Sequence, residues 1–126
     1  MNSSARQLVF VYGTLKRGGS NHSFMSGQIN RGDARTMPGF SLIDLGDYPG
    51  LVADSANEDG VSGEVWSVDL DCLSRLDDLE GVSEGLYRRE RVVLRSSFGD
   101  EPVETYVYAL NVVGRPVIAD GIWRTP

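Results

Sequence analysis

Asp77, Asp78 and Glu80 crowd the end of one predicted helix. Carbonyls at a helix C-terminus carry partial negative charge, so acids there are disfavoured by a few tenths to about 1 kcal/mol each. A carboxyl held against that field keeps its proton more tightly, and its pKa rises. A carboxyl titrating near neutral pH is suited to shuttling a proton. Glu80 directly follows the core-facing Leu79, which puts it at the edge of an apolar stripe. A solvated acidic helix end accounts for the same residues without any chemistry.

The second candidate is Tyr12-Gly13-Thr14-Leu15, at the end of the apolar run Leu8-Val9-Phe10-Val11-Tyr12. A glycine there lets the backbone bend, and amides released from a sheet can face an anion. A plain strand-ending turn is the simpler alternative. Gly13 and Gly18 are spaced like two glycines of a phosphate loop, but Gly19 and Ser20 stand where that loop requires Lys and then Ser or Thr. The third candidate is a set of tyrosines. Tyr87 opens a strand that continues Arg88-Arg89-Glu90-Arg91, and Tyr106 and Tyr108 share one face of the next. Their hydroxyls could orient a polar ligand, although tyrosine also fills small barrels. His22 has no evident partner, no G-x-S-x-G motif is present, and Cys72 reads as a packed thiol among leucines.

These residues need elements to position them. Asp69 is a plausible N-cap for a helix in which Leu70, Leu73, Leu76 and Leu79 line one face, with Gly81 as its stop. Residues 8–12 read as a strand buried on both faces. A short helix after Ser20 or Asn21 would turn Phe24 and Met25 inward. Pro38-Gly39 and Pro49-Gly50 read as turns, with short strands at 40–45, 50–53 and 61–68. Residues 87–95 and 101–110 form a predicted hairpin around Gly99-Asp100, and 115–126 an irregular tail. The order is not an alternating βαβ pattern. It predicts an α+β domain, a small, mostly antiparallel β-barrel flanked by about two helices.

A chain of 126 residues fits one domain, 1–126, with 1–7 and 115–126 peripheral. Its net charge of −6 argues against nucleic-acid or anionic-membrane binding. The single cysteine excludes an internal disulfide, and Cys72 with His22 cannot assemble a four-ligand zinc site. A reducing, cytoplasmic setting is expected. The first apolar run is too short for a membrane span. A monomer is favoured.

In combination the signals resemble one family. Phe10-Val11-Tyr12-Gly13-Thr14-Leu15-Lys16-Arg17-Gly18, followed by Asn21-His22, is similar to the N-terminal signature of gamma-glutamylcyclotransferase-like proteins. The gamma-glutamylamine cyclotransferase branch and its bacterial relatives resemble it best. Tyr48-Pro49-Gly50-Leu51, Val61-x-Gly63-Glu64-Val65-Trp66, Leu76-Asp77-Asp78-Leu79-Glu80-Gly81, Tyr87-x-Arg89 and Tyr106-Val107-Tyr108 follow in the family's order. The resemblance implies a barrel with a pocket at one mouth. It implies that the Tyr12–Leu15 backbone binds the alpha-amino-acid end of a gamma-glutamyl group, and that Glu80 is catalytic. Tyr87 and Tyr108 become further candidates for orienting Glu80 or the substrate. The implied reaction releases 5-oxoproline and a free amine from a gamma-glutamyl amine or amino acid, by intramolecular aminolysis, with neither metal nor cofactor. The alternative is a non-catalytic module binding a glutamyl-like zwitterion on the same barrel.

Overall fold

The computed structural model describes residues 5–95, 98 and 101–124. The elements run β1 (Arg6–Val11), a 3-10 turn (His22–Met25), β2 (Ile29–Arg35), β3 (Phe40–Asp44), β4 (Pro49–Ala53) and β5 (Ser62–Asp69). Helix α1 (Leu70–Leu79), β6 (Tyr87–Arg91) and β7 (Val103–Tyr108) complete the order. The strands form one mixed sheet, β2-β5-β1-β7-β4-β3, with β6 also on β7. Ladders β1–β5, β2–β5, β3–β4 and β6–β7 are antiparallel, whereas β1–β7 and β4–β7 are parallel.

The α+β class stands, and the expected barrel is a loose one because the sheet does not close. A Thr36–Leu94 bridge and the backbone bonds Met37 N–H to Val93 O and Arg95 N–H to Arg35 O cross the gap beyond β2 and β6. β2 is a strand that the sequence pattern did not predict. It is a mostly exposed edge strand, and its register slips between Asn30 and Gly32. An edge strand facing water needs no apolar alternation, so it leaves no such signal. The strand expected at 50–53 is β4, and it starts one residue earlier, so Pro49-Gly50 is strand and not turn.

Side-chain alternation along β1 serves two cores. Leu8, Phe10 and Tyr12 join Leu42, Leu51, Val65, Val107 and Trp123 in the first. Val9 and Val11 join Trp66, Val68, Leu73, Leu76, Tyr87 and Tyr106 beneath the helix. Asp69 caps that helix, accepting the Cys72 N–H at 2.7 Å. Leu73 and Leu76 are buried as expected, but Leu70 is 55% exposed. A repeat of three drifts around a helix of about 3.6 residues per turn, so Leu70 and Leu79 fall about half a turn apart. Cys72 takes the buried place. Gly81, with φ +64°, ends the helix in a conformation that glycine adopts without strain.

The predicted hairpin pairs Tyr87 with Tyr108, and Gly99-Asp100 lies outside the described residues. The tail is irregular but tied in. Val117 bridges Ile43, Ile118 N–H donates to Leu42 O, and Trp123 is buried in the core with Leu8, Phe10 and Tyr12. Among the described residues no helix is long and apolar enough to cross a membrane.

Candidate active site

β7 runs first beside β1, where Phe10 faces Thr105, and then beside β4, where Leu51 faces Val107. Tyr12 sits where its partner changes. Its hydroxyl donates to Tyr106 O at 2.6 Å and accepts the Leu51 N–H at 3.1 Å. Burial pushes this phenol well above its ordinary pKa, so it stays a neutral donor. Gly13 follows, and a Cβ there would stand 2.7 Å from Pro49 Cγ. Close approach of the Pro49 ring, and not a positive φ, is what requires glycine here.

The rest of the turn is braced from behind. Asn21 donates its N–H to Thr14 O at 2.9 Å and its side-chain amide to Thr14 Oγ1 at 3.1 Å. His22 Nδ1 donates to Leu15 O at 2.9 Å, and its ring meets Trp66 edge-on at 5.4 Å. Glu64, only 6% exposed, accepts the Arg17 N–H, the Arg17 Nε and the Trp66 Nε1. Burial alone would raise the Glu64 pKa, but those donors outweigh it and hold the carboxylate below its ordinary value. Among the described residues, the N–H groups of Gly13, Thr14 and Leu15 meet no protein acceptor.

These residues face a cavity of about 310 Å³. Tyr12, Gly13, Thr14 and Leu15 form one wall, Leu79, Glu80 and Leu86 another, and Tyr87, Tyr106 and residues 47–49 the remainder. Glu80 is the C-cap of α1, its N–H bonded to Leu76 O. No hydrogen-bond donor among the described residues meets its carboxylate. Burial pushes this carboxyl up to about 7. The direction matches the sequence-based expectation, and loss of water on burial drives it.

The tyrosines shape the walls and hold the backbone. Tyr87 donates its hydroxyl to Pro49 O at 2.8 Å. Tyr106 donates to Asp77 Oδ1 at 2.7 Å. Arg89 Nε lies 3.0 Å from the same oxygen, while Arg89 Nη1 donates to Glu104 at 2.7 Å. With the Tyr12 hydroxyl also engaged, each of these phenols is committed to protein. Tyr108 stands outside the lining, its ring 5.1 Å from Tyr87 in a T-shaped contact.

Six of the seven sequence-derived site residues, all but Tyr108, therefore meet at one cavity. The lining also holds Tyr106, which the sequence offered beside Tyr108, and Ser20, Asn21, Asp47 and Tyr48, which it did not offer as site residues. Tyr106 shares its strand face with Tyr108, and Asp47-Tyr48 falls between the strands expected at 40–45 and 50–53, where no spacing marks a site. Among the described residues no cluster of His, Cys, Asp and Glu could hold a metal. The arrangement suits a zwitterion, with a carboxylate on the free amides and an ammonium near Glu80.

Residues 9–125 match a family described as gamma-glutamyl cyclotransferase, AIG2-like. A Vibrio cholerae protein, provisionally named a gamma-glutamylcyclotransferase, is 39% identical over 118 residues, 94% of this chain and 96% of its own length. Human gamma-glutamylaminecyclotransferase is 36% identical, over 81% of this chain and 77% of its own. Among solved structures, a mouse AIG2-like protein superposes with a TM-score of 0.72 and 26% identity, covering 96% of each chain.

Proposed function

This chain belongs to the AIG2-like gamma-glutamyl cyclotransferase family, and from that premise we propose that it closes a gamma-glutamyl amine or amino acid to 5-oxoproline, with Glu80 relaying the proton. The observation that carries the reading is the pairing in one cavity of a carboxyl titrating at about 7 with a turn whose amides are unengaged.

The donor's alpha-carboxylate rests on the amides of Gly13, Thr14 and Leu15. Its alpha-ammonium loses one proton to water and becomes a nucleophile. The nitrogen then attacks the gamma-carbonyl carbon of the same molecule, and a five-membered ring forms. Glu80 takes the second proton as the new N–C bond forms. It returns that proton to the departing nitrogen as the old C–N bond breaks, so the amine leaves neutral and Glu80 regains its carboxylate. Both reacting atoms belong to one substrate, and folding it into the attacking geometry can supply up to about 7–11 kcal/mol. The aromatic walls serve that task by excluding extended conformers. Proton relay by Glu80 contributes roughly a hundredfold to ten-thousandfold.

Glu80→Gln keeps the size and removes the base. It is expected to lower 5-oxoproline release by at least about a hundredfold, with substrate binding by calorimetry retained. Turnover at the wild-type rate would end the assignment.

A further inference from the structure

The turn beside the cavity takes its polarity from residues outside it. Gly13 O accepts the Lys16 N–H at 3.1 Å, and Lys16 O accepts the Gly19 N–H at 2.8 Å. With Thr14 O held by Asn21 and Leu15 O by His22, every carbonyl from Gly13 to Lys16 is bonded within the protein. The amides of Gly13, Thr14 and Leu15 are what remains for an anion. The next amide, that of Arg17, is where this pattern ends: it donates to Glu64 Oε1 at 3.1 Å.

Glu64 lies on β5, and neither it nor Arg17 nor Trp66 lines the cavity. Its register partner on β2 is Asp33. Two acids directly opposite on neighbouring strands repel each other. Here Arg17 takes up both, with Nε 3.1 Å from Glu64 Oε2 and Nη2 2.9 Å from Asp33 Oδ1. Both acids therefore converge on the residue that closes the turn. Trp66 Nε1 donates to Glu64 Oε1 at 3.0 Å, and the Trp66 ring backs His22, which holds Leu15 O. Glu64 thus reaches the turn by two routes. A buried carboxylate gives up its hydration, and pairing it returns little net stability compared with an apolar side chain of the same size. An apolar side chain could pack in that place, but it could not hold the Arg17 N–H.

Building on the cyclotransferase reading, we propose that Glu64 is a positioning residue: through Arg17 and Trp66 it fixes the far end of the Tyr12–Leu15 turn, so that the turn's amides meet the donor's alpha-carboxylate. Two variants test it. Glu64→Gln keeps the size and removes the charge, and Arg17→Gln breaks the same link from its half-exposed side. Each should raise KM for a gamma-glutamyl donor by roughly tenfold, the worth of about one hydrogen bond to a charged group. In each, kcat should stay within about threefold, the pattern of lost binding and not of lost chemistry. The double variant should be no worse than the poorer single one, because both cut one link. Inhibition constants separate this role from a merely structural one. The product 5-oxoproline should bind the variants roughly tenfold more weakly, whereas 2-pyrrolidinone, the same ring without the carboxylate, should bind them as it binds wild type. Equal weakening of the two rings overturns the proposal, and so does an unchanged KM in both variants. Either result leaves the cyclotransferase reading standing, since wild-type release of 5-oxoproline is measured in the same assay. If wild type releases none, both readings fall together.

Discussion

Glu80 sheds water on entering the cavity wall, and its carboxyl titrates at about 7 in place of 4.5. Between those values the folded chain keeps a proton that the unfolded chain has released. The stability this contributes is complete below about pH 4.5 and lost as pH rises through about 7. Glu80→Gln cannot ionise, so it is expected to exceed wild type in stability at pH 8, by up to about 3 kcal/mol, and to match it near pH 4. Thermal unfolding at the two pH values measures the gap, and a gap independent of pH would show that burial does not hold this proton. The same substitution thus removes turnover and strengthens the fold. At this scale the sequence carried Glu80 well, because a position just after Leu79 at a helix end can be read from spacing alone. It could not separate Tyr106 from Tyr108. Two residues on one strand face look alike until the cavity takes up one of them and Tyr87 the other.

The last turn of α1 is secured from below. Asp77, one turn before Glu80, is held by the Tyr106 hydroxyl and the Arg89 guanidinium. Tyr106→Phe deletes one oxygen and should cost about 1 kcal/mol of stability. The larger consequence expected is kinetic. With the turn freer, kcat should fall by roughly threefold to tenfold while KM changes little, because small errors in the placement of a reacting group are costly. Steady-state rates would show it, and an unchanged kcat would mean that the bond does not place Glu80. The helix itself was legible, since its cap, apolar stripe and glycine stop are all local signals. Edge strand β2 was not, because its residues face water. Nor was the true start of β4, where Pro49 sits in a strand against the missing Cβ of Gly13.

Across the whole molecule, β7 is the member that makes the sheet one object. It pairs with β1, β4 and β6, and both cores draw side chains from it. A chain ending at residue 102 keeps the other strands and the helix but should show no cooperative thermal transition by circular dichroism; a sharp melt would demote β7 to an accessory. The α+β class followed from the order of strands and helix, all read from short windows. The two parallel ladders had no such window, because partners that meet only after the chain has crossed the molecule leave no trace in either neighbourhood. The bond from Thr105 to the carbonyl of Phe10 spans 95 positions. At roughly 5–20 residues per second, a ribosome needs about five to twenty seconds to supply that second partner. For that interval the nascent protein trails an apolar strand with at least one lateral edge unsatisfied, and with both until β5 emerges, which makes it a client for whatever shields emerging chains from sticking to one another.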